Sequence, residues 1–255
     1  VEIEASSHEL GGGTGSNIGT GTRGFSAGRH VYEDTIEFIT ISTLGDSQDF
    51  GNLTVGRYSL GNLVGGDIRM VFGGGYGYKN VIDFWTVQSL GNASDFGDLT
   101  QERNQMSACN DKIRGIWAGG AGPGHGGVNI MDYVTISTTG NAVDFGDLSA
   151  AKTTPASCSS STRGIWNYDA GPVAEMKFLN FRSTGNTTDF GDGHGGSSMN
   201  GGQSSSTRGM WAGNYADSNI ISFITMATEG DTTDFGDLTQ GRYNFTGMSS
   251  PTRSV

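Results

Sequence analysis

A regular series of side-chain oxygens is the feature of this sequence that most resembles a chemical site. The pattern Asn-x-x-Asp-x-x-Asp begins at Asn92 and again at Asn141. Oxygen ligands of this kind are those that Ca²⁺ prefers. The spacing differs from the Asp-x-Asp-x-Asp-Gly of calcium loops, and Asx turns or pairing with arginines account for the same residues without an ion. We therefore predict turns here and no metal site.

Catalytic chemistry has little support in the residues. The histidines are His8, His30, His125 and His194, and two of them begin a His-Gly-Gly in different parts of the chain. No nucleophile is paired with a base, and no Glu/His cluster has the spacing of a metal site. We therefore predict that the protein is not an enzyme and uses no cofactor.

The acidic series belongs to a repeat. The string Asp-Phe-Gly-Asp-Leu begins at Asp95, Asp144 and Asp234, with variants at Asp49 and Asp189, so that successive copies lie 46, 49, 45 and 45 residues apart. A second string, Arg-Gly followed by two large apolar residues, precedes each later copy. Its arginines are Arg114, Arg163 and Arg208, with looser copies at Arg23 and Arg69 and a truncated one at Arg253. A fixed period of this length indicates a repeat architecture.

Each repeat reads as four short strands, named a to d. Strand a follows a basic residue, strand b carries the Arg-Gly string, strand c is an alternating stretch such as IDFWTV from Ile82, and strand d carries Asp-Phe-Gly. Alternation, aromatic residues and Gly/Asn turns favour strands over helices. Four strands in about 45 residues is the size of a β-propeller blade.

We predict an all-β, six-bladed β-propeller of four-stranded antiparallel blades in a single domain, residues 1–255. Five blades are expected near residues 11–53, 57–99, 103–148, 152–193 and 197–238. Residues 242–255 would supply strands a and b of the last blade, and residues 1–10 its strands c and d. The alternative is five blades with a separate N-terminal segment.

The glycine doublet Gly119-Gly120, the apolar strand after it and the later aromatic residue and leucine resemble kelch repeats. Asp-Phe-Gly-Asp-Leu stands where that family has a tryptophan motif, and Asn167-Tyr168 replaces one doublet. The combination of strings is also similar in style to virion- or fibre-associated repeat proteins of aquatic tailed bacteriophages. These resemblances imply a propeller and a structural place in a virion.

Residues that recur in every repeat are interpreted as structural. The phenylalanines Phe96, Phe145, Phe190 and Phe235 are expected to fill the wedges between blades. The repeated arginines and the aspartates Asp95, Asp144, Asp189 and Asp234 are expected to form an Arg–Asp belt between blades. Cys109 and Cys158 occupy equivalent places in adjacent repeats, which favours two buried thiols over a disulfide.

Functional residues are sought where repeats differ. The b–c loops vary most, and they share one face with the d–a links. That face is the predicted recognition surface. Its candidate binding residues are Tyr76, Tyr78, His125, Tyr168 and Tyr215. They would stack on a sugar or anchor a protein.

The composition of the chain limits the classes of partner that we expect for it. The chain is glycine-rich, with 44 Gly in 255 residues, and acidic, with a net charge of −11. Because it has no Lys/Arg run, nucleic acid is not expected as a partner, and because it has no long apolar run, neither is membrane insertion. We expect a structural or binding protein in a virion or extracellular assembly. Its expected partners are other protein subunits or a surface glycan, and a homo-oligomer is compatible with the sequence. The alternatives are a free-standing lectin-like protein and, third, an enzyme.

Overall fold

The computed structural model describes residues 23–29, 32–41, 43–57, 63–124, 126–153, 155–169, 174–193, 201–213 and 218–241. These residues form strands and connections, arranged as five antiparallel sheets in the manner of a β-propeller. None of them belongs to an apolar helix of membrane-spanning length. The all-β propeller with four-stranded antiparallel blades is thus confirmed.

Each described sheet is one blade, with its strands in chain order. Blade one contains β1 (Arg23–Arg29), β2 (Glu33–Thr40) and β3 (Gln48–Asn52). Blade two contains β4 (Leu63–Gly65), β5 (Arg69–Gly75), β6 (Lys79–Thr86) and β7 (Ser94–Arg103). Blade three contains β8 (Ser107–Asn110), β9 (Arg114–Ala118), β10 (Val128–Thr135) and β11 (Val143–Lys152). Blade four contains β12 (Ala156–Ser159), β13 (Arg163–Asp169), β14 (Ala174–Asn180) and β15 (Thr188–Gly193). Blade five contains β16 (Gly201–Ser204), β17 (Arg208–Ala212), β18 (Ile220–Thr225) and β19 (Thr233–Asp237).

The described residues form five blades and not six, so the alternative prediction is the one that the structure matches. The sixth blade was expected from residues 1–10 and 242–255, which lie outside the described residues. The physical weakness of that prediction was the supposed c–d pair at residues 1–10. It contains neither the Gly-Asn or Gly-Asp turn nor the Asp-Phe-Gly that defines strands c and d in the five blades.

The core lies between the blades. The first strands of neighbouring blades pack side by side, β4 against β8, β8 against β12 and β12 against β16. One core cluster combines Ile116 and Phe145 of blade three with Trp166 and Leu179 of blade four, all of them buried. A single blade therefore buries its apolar faces only against its neighbours, which is why both faces of each sheet are apolar.

Consecutive blades are joined by a main-chain contact that we call the clasp. It forms between the Asp-Phe-Gly segment in one blade and the c–d turn of the next. In blades two and three, Gly140 N donates to Phe96 O over 2.8 Å, and the side-chain oxygen of Asn141 accepts from Asp98 N over 3.1 Å. A Cβ on Gly97, which has φ +146°, would lie 2.5 Å from Gly140 O. Glycine is therefore required there by both conformation and contact.

The clasp occurs at all four junctions between the five described blades. The carbonyls of Phe50, Phe96, Phe145 and Phe190 accept from Gly91, Gly140, Gly185 and Gly230, over 2.7 to 2.9 Å. The side-chain acceptors of the turns are Asn92, Asn141, Asn186 and Asp231. The asparagine that begins each acidic series thus has a main-chain partner.

A side chain of the preceding blade packs against the glycine of the Arg-Gly string. A Cβ on Gly115 would lie 2.5 Å from a methyl carbon of Val64, and a Cβ on Gly164 would lie 2.6 Å from the Cys109 sulfur. Gly209 meets the Cys158 sulfur in the same way, at 2.4 Å. The glycine thus leaves room for strand a of the neighbouring blade.

Replacement of Gly115 by Ala should test this packing. We expect a loss of roughly 1–3 kcal/mol in the free energy of unfolding, because the new methyl group overlaps Val64. The double variant Gly115→Ala/Val64→Ala should show a favourable coupling energy in urea denaturation. Gly124→Ala is the control, since nothing lies within 4 Å of a Cβ there. Additive effects of the two substitutions would contradict the proposed overlap.

Cys109 and Cys158 are both free and buried, which confirms the prediction of two buried thiols. Burial raises the pKa of both thiols, because an ionised sulfur would be deprived of water. The folded protein therefore holds them as neutral thiols, while the unfolded chain ionises its cysteines near their ordinary pKa of about 8.5.

Stability should consequently depend on alkaline pH. A pKa raised by folding contributes stability that is complete below the unfolded pKa and is lost as the pH rises above it. We expect the free energy of unfolding to fall above about pH 8.5 by about 1.4 kcal/mol per pH unit for each thiol. Urea titrations from pH 7 to pH 10 measure this slope. The Cys109→Ala/Cys158→Ala variant should show a flatter profile, and an equal slope in both proteins would refute the assignment.

Candidate binding face

The loops divide between two faces of the propeller. On one face, the b–c loops contact the d–a links: Gly120 N donates to Lys152 O over 2.8 Å, and a Cβ on Gly56 would overlap Tyr32 O. On the other face, a–b turns and c–d turns of adjacent blades meet, as in the pair Arg182 to Asp111 at 3.3 Å. We call the first the variable-loop face and the second the uniform face.

The predicted binding residues are not brought together as a set. Tyr76 lies in the b–c loop of blade two and is 43% exposed, and Tyr78 follows it in partial burial. Tyr168 belongs to β13, where its backbone pairs with Glu175, so the b–c loop of blade four begins later than expected. His125 and Tyr215 lie outside the described residues, as do the other three histidines.

An aromatic pair joins blades one and two on this face. The rings of Tyr32 and Tyr76 have their centroids 6.1 Å apart and their planes inclined by 49°. Tyr32 is 53% exposed. A Cβ on Gly77 would lie 3.4 Å from the Tyr32 ring, so the blade-two loop runs close to it. The pair therefore presents two neighbouring aromatic rings to solvent.

The loops that carry the pair have an uncommon backbone. Tyr32 has φ +63° and Tyr78 has φ +53°, values that bulky residues rarely adopt. Such conformations persist where the surrounding structure enforces them, and they cluster at binding sites. Sequence reasoning missed Tyr32, although an aromatic in the b–c loop of the neighbouring blade was the available signal.

A buried ion pair anchors the loop of Tyr76. The Arg57 Nη1 lies 2.8 Å from the Asp83 Oδ2, and both side chains are fully buried. Arg57 also donates to the carbonyls of Gly74 and Phe72, at 2.9 and 3.2 Å. Since Arg57 is in the d–a link and Gly74 directly precedes the loop, the ion pair holds two parts of the variable-loop face together.

The same arrangement recurs one blade further on. Arg103 Nη2 lies 2.5 Å from Asp132 Oδ2, both fully buried, and Arg103 Nη1 donates to Gly119 O and Ile130 O at 2.7 and 2.9 Å. Burial lowers the pKa of Arg57 and Arg103, and the attraction of their aspartates opposes this effect. We call the two pairs the link clamps. Each arginine stands eight residues after the Asp of Asp-Phe-Gly, a regularity that the sequence displays.

The repeated arginines of strand b have other partners. Arg69 donates to Ser137 O over 2.9 Å, and Arg114 donates to Phe181 O over 2.7 Å, in each case in the next blade. Their guanidinium groups also lie over aromatic rings of their own blade, Phe84 and Tyr133. Arg163 donates to Met226 O at 3.4 Å and pairs with Glu229 at 3.3 Å. The predicted belt of these arginines with the repeated aspartates is therefore wrong, because carbonyls and rings take the place of those aspartates.

The repeated aspartates serve local roles. Asp144 and Asp234 each accept from the backbone N–H two residues on, at Gly146 and Gly236. Asp189 accepts from Lys177 Nζ over 2.8 Å, and Asp95 lies opposite Asp83 in the strand register. In the part of the chain that the structure describes, no group of three or more His, Cys, Asp or Glu side chains is placed to hold a metal ion.

The repeated phenylalanines fall into two groups. Phe96, Phe145 and Phe190 are buried between blades, as expected, with only 2–3% of their surface exposed. Phe235 of blade five is 54% exposed; the blade expected beside it, from residues 242–255 and 1–10, lies outside the described residues, so its place in a wedge stays a prediction.

Two comparisons with known proteins identify no relative of this chain. A scan against protein-family models finds no match to this chain, and a search among curated proteins also finds none. The resemblance to kelch repeats and to phage repeat proteins therefore depends on the sequence pattern alone.

Replacing Arg103 by Met should show what the link clamps contribute. We expect a loss of about 3–5 kcal/mol in the free energy of unfolding, because Asp132 is left buried without its partner. The double variant Arg103→Met/Asp132→Leu should recover much of that loss. Lys112→Met is the control, with a loss below about 1 kcal/mol, because the carboxylate it leaves unpaired, Asp67, is 55% exposed and stays in water. Equal losses at Arg103 and Lys112, measured by urea denaturation, would contradict the role of the clamp.

Proposed function

We propose that this propeller is a non-enzymatic structural and binding protein of a virion or another extracellular assembly, and that it recognises its partner through the variable-loop face. The observation that carries the proposal is the exposed pair of Tyr32 and Tyr76. It lies where loops of two blades meet, on the face at which the repeats differ in sequence.

Tyrosine pairs of this kind suit partner recognition. A tyrosine contributes a large contact area with little side-chain entropy to lose, and aromatic residues dominate the binding energy of many interfaces. The link clamp of Arg57 and Asp83 fixes the backbone before Tyr76. A loop held in advance loses little freedom on binding, which increases the affinity available from a small contact.

The described titratable groups favour binding over catalysis. Asp83 and Asp132 are buried and engaged by arginines, so they do not face a substrate. Burial raises the pKa of Cys109 and Cys158, which disfavours the thiolate that nucleophilic catalysis requires. These features support a non-enzymatic role and do not depend on the kelch-like resemblance.

The second candidate function is a free-standing lectin-like protein. The same observation favours it, since exposed tyrosine rings stack on the apolar face of a sugar. The two candidates differ in what surrounds the protein: a structural component has a fixed neighbour in a particle, whereas a lectin binds a glycan by itself.

The double variant Tyr32→Ser/Tyr76→Ser tests the proposal. Assemblies that carry the protein are isolated, stripped of it and re-bound with purified variants, and the bound copies are located by electron microscopy. We expect wild-type copies at one repeated position and about 30-fold weaker re-binding of the tyrosine variant, as for the loss of a central aromatic anchor. Leu90→Ser is the control, because Leu90 is 63% exposed on the uniform face.

A glycan array with the same three proteins separates the candidates. Strong binding to a glycan that the tyrosine variant loses and the Leu90 variant keeps would favour the lectin-like protein. Re-binding that is equal for both variants would refute recognition through the tyrosine pair.

A further inference from the structure

The a–b turns of the uniform face share one backbone form but differ in their side chains. In blades two to five, the residue three places before the arginine of strand b donates its N–H to the carbonyl of that arginine, over 2.8–3.2 Å. The two residues between them are Ser-Thr in blades four and five, at 161–162 and 206–207. In blades two and three they are Asp67-Ile68 and Lys112-Ile113. Of these four described turns, two therefore carry a charge followed by an apolar side chain.

These two turns form one patch at the junction of blades two and three. Ile68 is 63% exposed and Ile113 is 46% exposed, although both are large apolar residues. Lys112 Nζ donates to Asp67 Oδ1 over 2.7 Å, which holds the two turns side by side. We call these four residues the junction patch. Apolar side chains that are exposed together, with polar groups around them, indicate an interaction surface.

The blade-three turn is fixed by side chains of its own strand. Asn110 Oδ1 accepts from Lys112 N over 3.1 Å. Asp111 Oδ1 accepts from Ile113 N and Arg114 N, over 3.0 and 2.7 Å. These bonds hold Ile113 in its exposed position. A surface that is fixed in advance loses little conformational freedom on binding, so a small contact can contribute measurable affinity.

We propose that the junction patch joins two copies of this chain back to back, through their uniform faces. The two copies are related by a twofold axis that lies in the contact plane, along the boundary between blades two and three. Such an axis places blade two of one copy over blade three of the other. Ile68 then contacts Ile113 of the second copy, and Asp67 lies opposite Lys112 of the second copy. Every contact occurs twice, as in other isologous interfaces.

A second copy is the partner that the charges favour. Asp67 and Lys112 have opposite charges at equivalent positions of neighbouring turns, so the twofold axis pairs each with its opposite. The c–d turns of the same two blades, at residues 87–93 and 136–142, contain no charged residue and face each other across the axis. Although each copy has a net charge of −11, no like charges meet at these turns. Charge complementarity of this kind permits the association of two acidic molecules.

The contact leaves both variable-loop faces open, and they point away from each other. The dimer therefore presents two recognition surfaces and bridges two separate partners. The inference goes beyond the proposed function and does not depend on it, because none of the four patch residues lies on the variable-loop face. A failure of either one leaves the other unaffected.

The first test removes the apolar part of the patch from the purified chain. The variant Ile68→Thr/Ile113→Thr gives both turns the residue that blades four and five have there. Val143→Thr is the matched control, because Val143 is 55% exposed on β11 and its equivalents in blades four and five are Thr188 and Thr233. Sedimentation velocity over a range of concentrations measures association, and circular dichroism verifies that each variant is folded.

We expect the wild type and the Val143 variant to form dimers and no larger species, since an isologous interface is closed. The double isoleucine variant should associate at least about 30-fold more weakly, because four apolar side chains leave the dimer contact.

The second test reverses the charges, with Asp67→Lys in one protein and Lys112→Asp in another. Each variant alone should associate at least about 10-fold more weakly than the wild type, because like charges then face each other across the axis. An equimolar mixture should recover dimers with one copy of each, because two lysines of one copy meet two aspartates of the other. The ion pair within a chain does not explain such a recovery, since both variants lack it.

The proposal is overturned if wild-type protein stays monomeric at its highest soluble concentration. It is equally overturned if Ile68→Thr/Ile113→Thr dimerises as the wild type does, or if Val143→Thr weakens association as much as that double variant. A mixture of the charge variants that associates no better than each variant alone also overturns it.

Discussion

The hydrogen bond from a glycine N–H in one blade to a phenylalanine carbonyl in the blade before it is the contact on which the rest of the propeller depends. It brings the blades close enough to bury the phenylalanine, and it aligns each c–d turn with the carbonyls that the arginines of strand b reach. It also requires glycine in both partners, since a Cβ on Gly97 would overlap the Gly140 carbonyl and Gly140 itself has φ +156°. This requirement for glycine explains why Asp-Phe-Gly recurs in each of the five repeats.

The strands and their order could be predicted because alternation and turn residues are local signals. The number of blades could not be predicted in the same way. A hairpin belongs to a blade only if its turn fits the neighbour, and residues 1–10 have the apolar residues of a hairpin without that turn. The arginines of strand b were recognised as links between blades, but their acceptors are carbonyls, as for Arg69 and Ser137. Every residue has a backbone carbonyl, so the sequence does not show which one accepts the hydrogen bond.

The candidate site was predictable by region rather than by residue. Tyr76 could be predicted from its place in a variable loop. Its contact with Tyr32 could not, because it depends on the distance between the loops of two neighbouring blades. Arg57 recurs at a fixed place after Asp-Phe-Gly and Asp83 at a fixed place in strand c, but neither pattern shows that the two side chains meet, so their contact is visible only in three dimensions. Sequence differences between repeats thus located the face, and the packing between blades determined which residues meet there.

Because the clasp consists of main-chain atoms and one short Asn or Asp side chain of the turn, it is insensitive to most of what surrounds it. A blade that keeps its two glycines and its turn fits beside any other blade of the same kind, whatever loop it carries. Whole units can therefore be duplicated or exchanged by recombination in register without remodelling the joint. A lineage of such chains would diversify its surface by shuffling blades, a faster route than accumulating point substitutions in a single fixed loop.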